Sequence, residues 1–86
     1  MGICFVYVVR CCDGTLYTGW TDDIEKRLAA HNGGTGGKYT RARLPVVLAY
    51  KEEFASKSEA LRRERAIKKM TRAAKLKLLM STIITK

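Results

Sequence analysis

The sequence predicts an α+β fold: a small three-stranded antiparallel or mixed sheet with helices packed on it, in the order β-β-α-β-α-α. Three observations carry that prediction. An unbroken apolar, β-branched run over residues 5–11 meets a second strand-like run through the turn pair Asp13-Gly14, and apolar runs separated by turn residues read as paired strands. A third extended run follows the single proline, Pro45. The remaining segments switch to helical spacing, each behind a capping residue. With 86 residues, one domain over 1–86 is expected.

The run 5–11 is continuous enough to be a strand buried on both faces, and the second strand covers 15–20. The turn between them decides what they present. A two-residue loop at Asp13-Gly14 would pair Tyr7 with Trp20 and put Tyr7 and Tyr17 on opposite faces. A three-residue loop, Cys12-Asp13-Gly14, is a type I turn with Gly14 left-handed. It pairs Tyr7 with Gly19 and Val9 with Tyr17, so both tyrosines share one face, a diagonal step apart. This second register is the expected one, in part because only it lets the two phenols act together. Gly19 opposite Tyr7 should leave open space above the pair.

Asp22 and Glu25 have capping-box spacing and open a helix running to about Asn32, where Gly33-Gly34 stops it. Ile24, Leu28 and His31 follow i, i+4, i+7 spacing, which sets Arg27 and His31 at the edge of the buried stripe. Residues 33–37, Gly-Gly-Thr-Gly-Gly, read as a flexible loop; no Gly-Lys-Ser/Thr follows, so this is not a P-loop. Residues 38–43, Lys-Tyr-Thr-Arg-Ala-Arg, form a short basic element of a helical turn or two. Pro45 opens the third strand, 46–50, with 53 as its far limit. Ser56 and Glu59 make a capping box for a helix to about Lys69, with Ala60, Leu61, Glu64 and Ile67 on one face. Thr71 caps a last helix whose apolar side is Leu76, Leu79 and Met80.

Hydrophobic residues make up 47% of the chain, which excludes a disordered protein. The net charge is +9 and unevenly placed: residues 1–55 hold seven Lys/Arg against six Asp/Glu, residues 56–86 ten against two. A strongly basic end favours a polyanionic partner over a merely solvated helix face. Cys4, Cys11 and Cys12 are odd in number and lack paired spacing, so free thiols are expected, with no disulfide and no zinc. No stretch has the pattern of a signal peptide or membrane span, and Val6 stands where a myristoylation signal needs Ser or Thr. A cytoplasmic location is expected.

Glu64 is the acid in an unexpected place. Its helix carries Arg62, Arg63, Arg65, Lys68 and Lys69 outside the stripe, yet Glu64 falls on the apolar stripe itself. A carboxylate there needs a cation: either an internal ion pair, with Arg27 or a neighbouring arginine, or a metal. A hard cation such as Mg²⁺ accepts one carboxylate and completes its shell with water and phosphate oxygens. His31 is either a hydrogen-bonded packing residue or, four residues after Arg27 on one helical edge, part of an anion site. Tyr7 and Tyr17 are either ordinary strand aromatics or members of the same constellation.

These residues, in this order, resemble the GIY-YIG nuclease family. Phe5-Val6-Tyr7 stands at the first motif, with its Gly-Ile replaced, and Tyr17-Thr18-Gly19 at the second. Arg27 matches the family's helix arginine, His31 a position often filled by histidine, and Glu64 the metal-binding glutamate. Where some branches have lysine after the second motif, this chain has Trp20. The resemblance runs from residue 4 to about 70 and is closest to a short stand-alone branch of mostly uncharacterised bacterial proteins, similar to the nuclease subunit of structure-specific DNA repair enzymes.

The resemblance implies a metal-dependent endonuclease that hydrolyses DNA phosphodiesters and selects by structure rather than sequence. Glu64 would hold Mg²⁺ or Mn²⁺, Tyr7 would take the proton of the attacking water, and Tyr17 would orient Tyr7, the water or the phosphate. Arg27 would offset charge on the pentavalent phosphorus, and His31 would assist proton transfer or bind phosphate. Lys38, Arg41 and Arg43, with Arg63 and Lys68 of the longer helix, would carry the backbone of branched or duplex DNA. The alternatives are a non-catalytic nucleic-acid-binding module on the same basic surface and a partner-dependent subunit of a repair or recombination complex. Binding alone needs no carboxylate on an apolar stripe, so the constellation favours catalysis.

Overall fold

The six expected elements appear in order, with the short basic segment adding a seventh as one helical turn: β1 (Cys4–Arg10), β2 (Leu16–Thr21), α1 (Ile24–Asn32), α2 (Lys38–Arg41), β3 (Val47–Phe54), α3 (Lys57–Lys68) and α4 (Arg72–Ile84). The computed structural model describes residues 2–84, with side chains through residue 80, so the expected domain, 1–86, extends past both limits. The fold is α+β. Its sheet is antiparallel throughout, in the order β2-β1-β3.

The central strand is apolar on both sides because both sides are covered. Val6 and Val8 pack under Ala60 and Ile67 of α3 and Leu79 of α4; Tyr7, Val9 and Cys11 pack on the other side with Val46 and the half-buried Ile24 and Leu28 of α1. Val6, Val8 and Val9 are almost wholly excluded from water, each contributing about 1.5–3 kcal/mol of transfer free energy.

The hairpin closes on three residues. Cys11 N–H donates to the Thr15 carbonyl and Gly14 N–H to the Cys11 carbonyl, both at 2.9 Å. Gly14 has φ +86, a conformation that a Cβ would penalise. Tyr7 therefore faces Gly19 and Val9 faces Tyr17, and both phenols leave the same side of the sheet.

Four details differ from expectation. The cap of α1 is Asp23, not Asp22: its carboxylate accepts from Lys26 N–H at 3.0 Å, because β2 runs one residue further, to Thr21. Glu25 then sits in the first turn, where the helix dipole favours an acid. The third strand starts at Val47 rather than Val46 and reaches Phe54. Val46 is withheld because the Asn32 side chain takes both its N–H, at 2.8 Å, and its carbonyl, at 3.1 Å. On α4, Leu79 is buried and Leu76 packs on the core, but Met80 is 59% exposed, one helical step past the stripe. Ser56 and Thr71 cap α3 and α4 as expected, accepting from Glu59 N–H and Ala74 N–H. All three cysteines are free. Among the described residues, no helix is long and apolar enough to cross a membrane.

Candidate active site

Gly19 lets the Tyr7 ring lie flat across β2. A Cβ at that position would stand 2.6 Å from Tyr7 Oη and 2.8 Å from Cζ. The open space expected above Gly19 is thus filled by the Tyr7 ring itself. Tyr7 is 3% exposed, and its hydroxyl has one direction to go: Oη lies 2.9 Å from His31 Nε2. His31 Nδ1 lies 2.7 Å from Thr40 Oγ1, and Thr40 Oγ1 lies 3.5 Å from the Gly37 carbonyl.

Electrostatics fix the direction of this chain. Burial pushes the Tyr7 phenol up to about 12, with Tyr17 adding to the rise, Arg27 opposing it and Glu64 adding again. Burial, and secondarily the charge of Arg27, holds His31 below the usual imidazole range. At neutral pH a protonated phenol therefore meets a neutral ring. Tyr7 O–H donates to Nε2, Nδ1–H donates to Thr40 Oγ1, and the Thr40 hydroxyl donates to Gly37. One tautomer of His31 satisfies every donor, an assignment made from the network.

The sequence placed His31 and Arg27 together at the edge of a stripe. The helix divides them: His31 is 1% exposed, and Arg27 is on the outer surface. What pulls His31 inward is the glycine run 33–37. Gly36 lies so close that a Cβ there would be 2.4 Å from His31 Nδ1 and 2.7 Å from its Cα. Gly34 at φ +86 and Gly37 at φ +153 bend the chain over the ring. The segment expected as a flexible loop has a definite shape, which His31 dictates.

Around this chain stands an aromatic cluster. Tyr7 and Tyr17 meet the His31 ring edge-on, at centroid distances of 5.9 and 5.6 Å. Tyr17 stacks on Tyr39 at 5.7 Å, and the Arg43 guanidinium caps Tyr39 at 4.0 Å. Because β2 is a sheet edge, α3 reaches round it from the opposite face: Lys68 Nζ sits 6.0 Å over the Tyr17 ring and 3.3 Å from Glu64. Glu64 keeps 16% of its side chain exposed. Its ion-pair partner is this flexible lysine, not Arg27 or another guanidinium. Trp20 turns to the α3 face with Val6 and meets Lys57 at 5.0 Å, away from the phenols.

Tyr7 and Tyr17 therefore both meet His31, with the charges of Arg27 and Glu64 bearing on Tyr7. Of the basic side chains proposed for nucleic acid, Lys38 and Arg41 are exposed and form no ion pair among the described residues. Arg43 pairs with Asp13 at 3.1 Å. Arg63 faces β3, where Nε and Nη2 grip Glu52 at 2.8 and 2.9 Å. Thr40, Gly36 and Tyr39 were not singled out from sequence. For Tyr39 a signal existed, an aromatic interleaved with basic residues; for Thr40 none did.

A family match now accompanies this geometry. The GIY-YIG catalytic domain matches residues 3–77. The chain belongs to the GIY-YIG family. This GIY-YIG domain is similar to UPF0213 proteins of Staphylococcus haemolyticus, 56% identical over 75 residues (87% of this chain, 92% of the relative), and Halobacterium salinarum, 59% identical over 70 residues (81% and 91%). Among solved structures it resembles the UPF0213 protein of Bacillus halodurans, with TM-score 0.60 and 41% identity over 91% of this chain and 83% of that one. It also resembles a protein from E. faecalis, with TM-score 0.63 and 38% identity over 96% and 90%. GIY-YIG is a nuclease fold, which makes nucleic acid the general class of substrate. The first motif is the strand that carries Tyr7, and the second is the strand that supplies Tyr17 and Gly19.

Proposed function

We propose that this GIY-YIG domain is a divalent-metal-dependent endonuclease that hydrolyses DNA phosphodiesters and selects its substrate by structure rather than sequence. The observation that carries this reading is the buried chain from Tyr7 Oη through His31 to Thr40, flanked by the charges of Arg27 and Glu64. Burial keeps the phenol protonated and the imidazole neutral at rest, and their hydrogen bond gives a path along which the proton can move as the attacking water loses its own.

Glu64 suits a single hard cation. Its carboxylate is partly open, and its partner Lys68 keeps 51% of its side chain exposed, free to move aside. Among the described residues no group of three or more His, Cys, Asp or Glu side chains gathers, so waters and phosphate oxygens would complete the shell, the habit of Mg²⁺. Bound on Glu64, Mg²⁺ or Mn²⁺ would polarise the scissile phosphate and stabilise the departing 3′ oxygen.

The chain's own residues handle the proton and the charge. Tyr7 Oη takes a proton from the attacking water as it gives its own to His31 Nε2. His31 becomes imidazolium, held by Thr40 at Nδ1. The water oxygen bonds to phosphorus, the bond to the 3′ oxygen breaks, and Arg27 offsets the negative charge that builds on the phosphoryl oxygens. Tyr17, edge-on to His31, orients the phosphate. Lys38 and Arg41 take backbone charges, contacts that set affinity and salt dependence but not sequence.

The test is cleavage of branched and plain duplex DNA with Mg²⁺ or EDTA. Cleavage is expected only with the cation. Glu64→Gln should abolish it while DNA binding persists, and Tyr7→Phe should slow it by about 10²–10⁴-fold. Cleavage by Glu64→Gln at the wild-type rate would sink the carboxylate's role. Tight binding by the wild type with no cleavage would turn the reading to a non-catalytic binding module.

A further inference from the structure

Beside the tyrosines lies a cleft of about 210 Å³ lined by Thr15, Leu16, Tyr39, Arg72 and Lys75. We infer that this cleft is a subsite for an unpaired nucleotide of the substrate strand, its phosphate on Arg72 and Lys75 and its base against Tyr39. The inference rests on the nuclease reading and adds to it a substrate class, DNA with a single-stranded stretch next to the cut.

Charge is the first argument. Arg72 and Lys75 stand three residues apart on α4, where side chains are neighbours and like charges cost a few tenths of a kcal/mol. Neither forms an ion pair among the described residues. The carboxylate of Asp13, beside Thr15 in the hairpin turn, is occupied: Oδ1 accepts from the Thr15 N–H and hydroxyl, and Oδ2 from Arg43 Nε. Arg72 is also held in place, one N–H donating to the Gly14 carbonyl at 3.0 Å, with the rest of its fork left for an anion.

Position is the second argument. Tyr39 stacks on Tyr17, which touches His31, so the cleft adjoins the proton chain through one ring. Tyr39 is 38% exposed, and with Tyr17 stacked on its ring and the Arg43 guanidinium over it, what it offers a base is its open edge beside that guanidinium plane. Bases free of a partner stack on aromatic rings and guanidinium planes; bases inside a duplex are already stacked and cannot reach them. The pairing of a cation couple with an aromatic wall therefore suits a nucleotide that has left the helix. Both cations come from α4, which adds the last helix to the substrate surface.

The test measures binding in EDTA, where cleavage plays no part, by anisotropy of labelled oligonucleotides: a splayed-arm duplex and a fully paired duplex of the same length. The Arg72→Gln/Lys75→Gln protein is expected to bind the splayed DNA roughly tenfold more weakly and to lower the salt slope by about 0.7 for each phosphate it no longer neutralises. The paired duplex should be bound as by the wild type. Lys75→Gln alone should show part of the same loss, and a wild-type melting temperature confirms that each variant is folded. Unchanged affinity for the splayed DNA, or equal loss on both DNAs, overturns the subsite. If the wild type binds neither DNA, the subsite and the nuclease reading fall together. If the variant loses affinity for splayed DNA alone but the wild type does not cleave with Mg²⁺, the subsite stands and the nuclease reading falls.

Discussion

His31 can receive the Tyr7 proton only while its own proton sits on Nδ1, and Thr40 is what holds it there, at 2.7 Å. Thr40→Val keeps the shape and removes the acceptor. The buried Nδ1–H then loses its partner, at a cost of about 1–3 kcal/mol, and the ring gains by moving the proton to Nε2, where it can no longer accept from Tyr7. Cleavage should fall about tenfold to a hundredfold, as it does when partners that orient a working histidine are removed. Thr40→Ser should restore most of it, and ring ¹⁵N shifts of His31 should report the change of tautomer; a wild-type rate with a shifted tautomer would break the relay. The pH profile has a definite sign. His31 is held below its ordinary value of about 6.5, so its neutral form persists as pH falls through that value. The acid limb of the rate should therefore lie below the ordinary histidine range. At this scale the sequence singled out Glu64 as a candidate, because an acid on an apolar stripe conflicts with the hydrophobic pattern. It could not show Thr40, whose hydrogen bond to His31 exists only after the intervening glycines fold back on the helix end.

Glycine has opposite meanings in two elements here, and spacing alone does not tell them apart. In the hairpin, Asp13-Gly14 ahead of a strand marked the turn but fitted two loop lengths, and the three-residue loop, preferred in part because it lets the phenols act together, is the one whose register the strands adopt. In the loop 33–37 the same residue type reads as slack, yet Gly36 is the surface against which His31 packs. Gly36→Ala should therefore behave as an overpacked core substitution and not as a loop change. A Cβ 2.7 Å from the His31 Cα meets backbone, which cannot swing aside, and overpacking costs about 1–3 kcal/mol. The melting temperature should drop by roughly 4–8 °C for each kcal/mol of destabilisation, and cleavage should drop with it as His31 is displaced. Gly33→Ala is the control, since its nearest Cβ approach is a less severe 3.2 Å. A Gly36→Ala protein as stable and active as the wild type would show that the loop is free after all. The helix cap and the third-strand start escaped the sequence for a related reason: both are set by distant partners, Thr21 being drawn into β2 by its pairing with Phe5 and Val46 being claimed by Asn32 from α1.

Over the whole molecule, the +9 charge is not one uniform field. Some of the basic side chains proposed for DNA are already neutralised by acids, and only the folded chain shows which. Arg63 grips Glu52 through two nitrogens, with 32% and 21% of the two side chains exposed, whereas Lys38 and Arg41 have no such partner among the described residues. A field that attracts phosphate acts through charges not already compensated. Arg63→Gln should then weaken the fold and leave DNA binding alone: up to about 1 kcal/mol is expected from a paired, partly exposed bridge, seen as a melting temperature lower by several degrees. Lys38→Gln/Arg41→Gln should do the reverse, leaving the melting temperature in place and lowering the slope of log affinity against log salt on duplex DNA by about 0.9 for each phosphate no longer neutralised. If Arg63→Gln flattened the salt slope as strongly as the Lys38/Arg41 pair, its ion pair with Glu52 would have to open when DNA arrives. The basic face of α3 would then belong to the binding surface together with the strip at 38–43.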